Sequence, residues 1–267
     1  MKFKFYIFLT LAVLAMTSCK SQYELILQGN DVPEKFRLAY ELLDKKKYSK
    51  AAEMFESLSL STKGTAQEDT VMYYWSLCNY RYGDYQTAVT NLGTFVATFP
   101  LSPFYDDAQF MRMDCLYRST YRYELDQLPT YKALEEMRAF VTENPDSKHI
   151  EEVRQMIDDL NGRLELKAYK SAYLYYHMED YLASHYALKS VLKDNADNRY
   201  REEILYYIAM SSYMYALNSV ASKQRERYLQ FVDDYFNVVS EFPDSKYARD
   251  LEKYYERAQN ILKRTES

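Results

Sequence analysis

From about Pro33 onward, apolar residues recur three and four positions apart rather than two, the spacing that gathers side chains along one face of an α-helix. The helical runs stop at short polar or proline-bearing breaks: Lys45-Lys46-Lys47, Gly83-Asp84, Phe99-Pro100-Leu101-Ser102-Pro103, Asn144-Pro145-Asp146-Ser147, Glu179-Asp180, Asp194-Asn195 and Phe242-Pro243-Asp244-Ser245. Capping chemistry sits at these breaks. Ser102 is placed to accept orphan amide hydrogens of the next helix, Pro103 suits its first position, and Asp106 and Asp107 favour its dipole. Five glycines and six prolines among 267 residues are too few for a strand-and-turn architecture. The pattern predicts an all-α fold.

A small motif then repeats inside the helical pattern. Lys47-Tyr48-Ser49-Lys50-Ala51-Ala52-Glu53-Met54-Phe55, Asp84-Tyr85-Gln86-Thr87-Ala88-Val89 and Asp180-Tyr181-Leu182-Ala183-Ser184 each place an aromatic at a turn and a small residue three positions on. They resemble the middle of a tetratricopeptide repeat, in which the small residue lets two helices approach closely. Repeat one puts Ala39 and Ala51 at the small sites and Phe55 at the bulky one. Repeat two uses Ser76, Ala88 and Leu92 and stops at Pro100. A third, counted back from Pro145, has Ala133 and Phe140; Ala172, Ser184 and Leu188 define a fourth. A looser fifth has helices near Tyr200 to Ala221 and Lys223 to Phe242, followed by a last helix from about Ser245. A single hairpin cannot bury its apolar face, whereas about five stacked hairpins can, leaving an extended concave surface suited to recognition. A non-repetitive helical bundle is the competing architecture.

The first residues depart from the repeat. Lys2 and Lys4 precede an apolar run from Phe5 to Met16, and Thr17-Ser18-Cys19 closes it with small residues before a cysteine. That is the layout of a secretory signal peptide, too short for the roughly 20 apolar residues of a bilayer-spanning helix. The ending resembles a bacterial lipobox, with Met16 where leucine is common; an ordinary signal peptide with a coincidental cysteine is the plainer alternative. The resemblance implies cleavage before Cys19 and a covalent diacylglycerol and N-acyl chain on it, a near-irreversible membrane anchor. The expected organisation is therefore a signal peptide at 1–18, a lipidated linker at 19–32, N-terminal repeats at 33–145 and C-terminal repeats at 146–267. Cleavage removes two lysines and no acidic residue, deepening a net charge already at −5. So acidic a chain argues against nucleic acid as a partner. Cys78 and Cys115, the other cysteines, lie in helical, partly apolar surroundings and read as two buried thiols, although one disulfide is open to them in an oxidising compartment.

Catalytic patterns are missing from the sequence. No GxSxG, HExxH, GxxxxGK[ST] or GxGxxG occurs, and Glu135-Glu136 and Glu151-Glu152 suit exposed helix faces, so no enzyme activity is expected. His177 and His185 flank a turn and could meet across a hairpin, but no cysteine or acidic pair stands beside them at metal-ligand spacing, and no metal or other cofactor is expected. His149 is the third histidine. The unusual feature is thirty tyrosines. In the repeat register the first helix of each unit lines the concave face, which puts there Phe36 and Tyr40, Tyr73 and Tyr80, Arg118 and Arg122, and Tyr169, Tyr173 and Tyr176. Aromatics flanking two arginines would suit an extended or C-terminal peptide carrying aromatic side chains and a carboxylate. Simple packing between repeats is the alternative role for the same rings.

The lipobox at Cys19, the short linker, about five degenerate repeats and the phrases Phe99-Pro100-Leu101-Ser102 and Phe242-Pro243-Asp244-Ser245 together resemble the BamD family of outer-membrane protein assembly lipoproteins. Asp244-Ser245-Lys246-Tyr247-Ala248 and Phe104-Tyr105-Asp106-Asp107-Ala108 are similar to that family's helix starts. The resemblance spans essentially the whole mature chain through motifs that are individually short. It implies a scaffold lipid-anchored to the outer membrane and facing the periplasm. Its C-terminal repeats, the surface from about Tyr200 to Arg264, would bind a BamA-like β-barrel insertase, and its N-terminal repeats would receive unfolded β-barrel clients. Lys20-Ser21-Gln22 lacks the paired acidic residues of some surface-exposed lipoproteins, consistent with the periplasmic side. Two other readings share the fold: a tetratricopeptide lipoprotein serving cell-envelope or division machinery, and a glycan-binding lipoprotein that stacks sugars on tyrosines and Trp75.

Overall fold

The helix from Val32 starts where an apolar period meets a cap, Asp31, whereas others, such as the one from Arg201, start without a side-chain cap and are held by packing. The computed structural model describes residues 21–264, in which twelve α-helices follow one another with no strand. They are α1 (Gln22–Gln28), α2 (Val32–Asp44), α3 (Tyr48–Ser61), α4 (Glu68–Tyr82), α5 (Tyr85–Thr98), α6 (Tyr105–Arg118), α7 (Leu128–Glu143), α8 (Ile150–His177), α9 (Tyr181–Asp194), α10 (Arg201–Leu217), α11 (Ala221–Glu241) and α12 (Lys246–Arg264). The signal peptide expected at 1–18 and the acylation expected at Cys19 lie outside the described residues. Among the described residues no helix is long and apolar enough to cross a membrane.

Two turns are used again and again. Inside a hairpin, the residue before the Lys-Tyr or Asp-Tyr pair takes a left-handed backbone: Lys46 at φ 55°, Gly83 at 95° and Glu179 at 62°. The next amide reaches five residues back, Lys47 to Leu42, Asp84 to Asn79 and Asp180 to Tyr175, satisfying carbonyls that the ending helix would otherwise leave bare. Asp84 and Asp180 then cap the following helix by accepting from the amides of Thr87 and Ala183. Only one of the three left-handed positions is glycine, so at Lys46 and Glu179 the packed hairpin outweighs a cost of about 1–2 kcal/mol for an L-residue.

Between hairpins the proline phrases supply the second turn. Ser102, Ser147 and Ser245 each accept the amide two residues on (Phe104, His149 and Tyr247), while their hydroxyls donate to a carboxylate on an earlier helix. Those carboxylates are Asp69 at 2.8 Å, Asp106 at 2.6 Å and Glu202. The serine of each phrase is thus a stitch between helices rather than a simple cap. This corrects the expected start of α6, because Ser102 and Pro103 lie in the turn and the helix begins at Tyr105 with Phe104 as its boundary residue. Two breaks, 62–67 and 119–127, were not anticipated from the sequence, and α10 ends at Leu217 rather than near Ala221.

The described chain divides into two compact units. The first holds the residues through Thr120 together with Tyr131–Arg154, and the second holds Tyr121–Thr130 together with the residues from Gln155 on. In the first unit α2 to α6 pack in sequence, each against the next. Ala39, Ala51, Phe55, Ser76, Ala88, Leu92, Ala133 and Phe140, the small and bulky sites of the repeat register, are all buried there. In the second unit α9 to α12 pack in the same way, and Ala172, Ser184 and Leu188 are likewise buried. Small residues at helix crossings let the backbones close in, and burial of the neighbouring Phe, Tyr and Leu side chains supplies about 1.5–3 kcal/mol each. The chain is an all-α array of tetratricopeptide-like hairpins with a C-terminal helix. Cys78 and Cys115 are buried free thiols in separate core clusters, and burial pushes both up to about 12, which keeps them protonated and inert.

Candidate recognition surface

The residues assigned from the repeat register to a concave face fall into different environments. Phe36 and Tyr40 sit one turn apart on α2, with rings stacked at 6.4 Å. Both line an open cavity of about 590 Å³ whose other walls include Pro33, Gln67 and Thr70. Tyr40 is anchored edge-on against Phe55 and Tyr74 at 5.5 and 5.3 Å, so it is a fixed aromatic wall rather than a swinging side chain. Gln67 and Thr70 add neutral hydrogen-bonding groups. This combination, apolar wall and uncharged polar rim, can take an apolar side chain of an extended peptide while pairing its backbone amides.

Tyr73 is different. It is buried, stacked on Phe104 at 4.4 Å and packed on Phe95, so its ring belongs to the core of the first unit. Tyr80 and Arg118 do come together, through a residue that the register passed over. The buried Asp114 accepts from the Tyr80 hydroxyl and from Arg118 Nε, both at 2.5 Å. The guanidinium also lies 5.8 and 5.9 Å from the rings of Tyr80 and Tyr85. Burial, and then the Asp114 hydrogen bond, push Tyr80 up to about 12; the bond to Asp114 raises Arg118 in turn. Arg118 is therefore already neutralised, which weakens it as a carboxylate receptor. Arg118→Ala should cost about 2 kcal/mol in urea denaturation, the size of a charged hydrogen bond to a group left buried, with Arg118→Lys intermediate. A cost near zero would show the pair to be incidental.

Arg122 is not on a helix at all. It lies beyond the end of α6 in the 119–127 segment, which is folded around a distant lysine: Lys167 Nζ donates to the carbonyls of Tyr123, Glu124 and Leu125 at 2.9, 3.4 and 2.8 Å. Gln127 ties the carbonyls of Arg122 and Leu125 at 2.9 and 3.0 Å. Both contacts lie within the second unit. Of the three tyrosines assigned there, Tyr169 is fully buried, while Tyr173 and Tyr176 are half-buried in a ring cluster with Tyr207, at 4.5 and 5.0 Å. Burial pushes Tyr176 up to about 12. Packing between helices, not a groove, uses most of these rings.

The histidines resolve into unlike roles. His177 is exposed at the end of α8, whereas His185 is buried and bonds Asp234 through Nε2 at 2.8 Å; the structure gives no bond between the two histidines. Asp234, 49 positions away on α11, had no sequence signal. His149 meets Asp107 at 3.0 Å and stacks on Phe110 at 4.1 Å. Asp106, Asp107 and His149 offer atoms within 4.8 Å of one another, but Lys148 already contacts Asp107 at 2.6 Å and Ser147 holds Asp106. The hydrogen bond from Lys148, then that from His149, hold the Asp107 carboxyl below its ordinary range. The group ties the start of α6 to the turn before α8.

Comparison with known proteins is consistent with this architecture. The family model described as YfiO, outer membrane lipoprotein, matches residues 29–197. The chain is also similar to a protein from Rickettsia prowazekii (strain Madrid E) named outer membrane protein assembly factor BamD. The two are 24% identical over 251 residues, which cover 91% of this chain and 94% of that relative.

Proposed function

Because the chain belongs to the BamD-like YfiO family of outer membrane lipoproteins, we propose that it is a non-enzymatic scaffold for folding and inserting β-barrel proteins into the outer membrane. The observation that carries this reading is the similarity to a protein named as an assembly factor, which extends over 91% of this chain and 94% of that relative. The acyl chains on Cys19 hold the scaffold at the membrane on its periplasmic side. The N-terminal repeats receive unfolded barrel clients, and the C-terminal repeats bind a BamA-like β-barrel insertase. The scaffold works by capture and presentation, with no covalent step.

Support for the client site comes from the cavity beside Phe36 and Tyr40, which has the apolar wall and neutral polar rim that an extended, aromatic-bearing strand requires. The half-exposed Tyr80 beside the Asp114-paired Arg118 offers a second ring on the same unit. Phe36→Ala is expected to weaken capture of an unfolded barrel client about tenfold, or about 1.4 kcal/mol, measured where circular dichroism shows variant and parent both folded, because Phe36 also packs on the core of its unit. Equal capture by variant and parent would remove the cavity from the client path.

The reading as a whole is tested by mild-detergent purification from native membranes through a C-terminal tag on the acylated protein. Stoichiometric recovery of a large β-barrel protein with periplasmic repeat domains is the expected result. Recovery of cell-wall or division proteins, or of glycans, in its place would overturn the assembly role and leave the helical array intact.

A further inference from the structure

Several arginines are held by carboxylates. Arg112 grips Glu136 with both terminal nitrogens, at 2.9 and 2.8 Å, and Arg118 holds Asp114. Arg199 spans Glu165 and Asp158, and Arg201 takes Glu241. Arg227 on α11 is held differently, by a ring and a hydroxyl. Its guanidinium lies 3.9 Å from the centre of the Tyr215 ring and it donates to the Ser219 hydroxyl, yet no carboxylate among the described residues reaches it. A guanidinium resting over a ring and pinned at one nitrogen is held in place with donors to spare, the condition in which arginine recognises an anion at little entropic cost.

What lies beside it is a cavity of about 330 Å³ between α9, α10 and α11. Leu182, Tyr186 and Tyr215 make its apolar wall, and Lys223, one helical turn before Arg227 on the same face, adds a second cation. Tyr186 is 66% exposed and Leu182 40%, so the wall continues outward as an apolar rim. His185 and Gln230 also line the cavity and are held from behind by Asp234, at 2.8 and 3.4 Å. With Nε2 committed to Asp234, only Nδ1 of His185 is left to meet an occupant. Glu226 meets Lys223 at 3.3 Å, but its side chain is 76% exposed and screened by solvent, so that pair is weak and easily exchanged.

We infer that this cavity is a docking pocket for an acidic segment of a partner protein, carrying carboxylates on either side of an apolar residue. The apolar residue enters against Leu182, Tyr186 and Tyr215, and a carboxylate replaces the missing partner of Arg227. Charge favours such an occupant: on a chain of net charge −5, the cavity lining carries two cations, Lys223 and Arg227, against one carboxylate, Glu226, a local positive balance that attracts an anion. Two cations are too few for a nucleic-acid backbone, and the apolar wall would be wasted on a free inorganic anion. The inference holds whichever protein supplies the segment, so its failure and the failure of the assembly role are separate results.

The test is fluorescence anisotropy with the acylated full chain in detergent and a labelled hexapeptide of two acidic residues, Phe, Leu and two acidic residues, blocked at both ends. Saturable binding is expected, at least tenfold weaker for Arg227→Gln and weaker also for Tyr186→Ser, whose exposed position leaves the fold untouched. Arg249→Gln, an exposed arginine elsewhere on the unit, should bind as the parent does. The inference is overturned by an acidic hexapeptide that fails to bind, by a hexapeptide with lysines in place of the acids binding equally, or by undiminished binding to Arg227→Gln.

Discussion

Tyr169→Ala is expected to lower the stability of the C-terminal unit by about 3–5 kcal/mol, the range for removing a large aromatic side chain from a packed core. Tyr169 has no exposed surface. Its ring stacks on Tyr200 at 5.5 Å and 23°, meets Tyr173 at 5.9 Å, and joins Ala172, Leu188 and Ile204 in one buried cluster. Backbone at the centre of a 28-residue helix cannot collapse into the space the ring would leave, so the cavity persists and its walls lose their contacts. Tyr173→Ala should cost less, because Tyr173 is only half-buried. Urea denaturation followed by circular dichroism measures both. A loss below about 1 kcal/mol for Tyr169→Ala would return that ring to a recognition surface.

Asp234→Ala is the second large effect, also expected at about 3–5 kcal/mol, the cost of breaking a buried ion pair from one side. Asp234 is 1% exposed and joins two helices through His185 Nε2 at 2.8 Å and Lys189 Nζ at 3.1 Å, both on α9. Burial by itself would push its carboxyl up; the hydrogen bond and charge of His185, and then Lys189, outweigh that and hold it below the ordinary carboxylate value. A lowered folded value means that the carboxylate's contribution is fully present above the unfolded value of about 3.9 and fades as pH falls through the lower folded one. Asp234→Asn keeps the shape and loses the charge. Its denaturation midpoint should therefore fall well below the parent's at neutral pH, and the gap should narrow as the pH drops below about 4. A gap that stays constant down to pH 2 would mean that the charge of Asp234 does not stabilise the unit.

How well the sequence foretold the fold depends on which physical signal each residue carried. The small sites at Ala39, Ala51, Ala88 and Ser184 were legible because a missing side chain at a helix crossing recurs at a fixed distance from an aromatic. The turns at Gly83-Asp84 and Glu179-Asp180 were legible from their capping residues. The break at 119–127 was not, because its order comes from Lys167, more than forty positions away, and so Arg122 was placed on a helix that ends at Arg118. The Arg118 assignment missed Asp114 for a similar reason: an acid four residues earlier reads as an ordinary exposed pair until its burial is known.

The division between the two kinds of information follows from range. Helical period, cap and turn chemistry, repeat spacing and net charge are local or summed properties, and the sequence by itself determined them: an all-α array of hairpins with a recognisable family likeness. Which faces of those helices meet solvent is a matter of long-range packing. Helices such as α10, apolar or aromatic on nearly every side, carry no periodic signal to separate an inward ring from an outward one. Only the tertiary structure could send Tyr169 and Tyr73 into the core, leave Tyr40 and Tyr186 at the surface, join His185 to Asp234 across 49 positions, and leave Arg227 without a carboxylate. Those outcomes depend on which side chains other helices bring into contact, and no spacing along the chain encodes that.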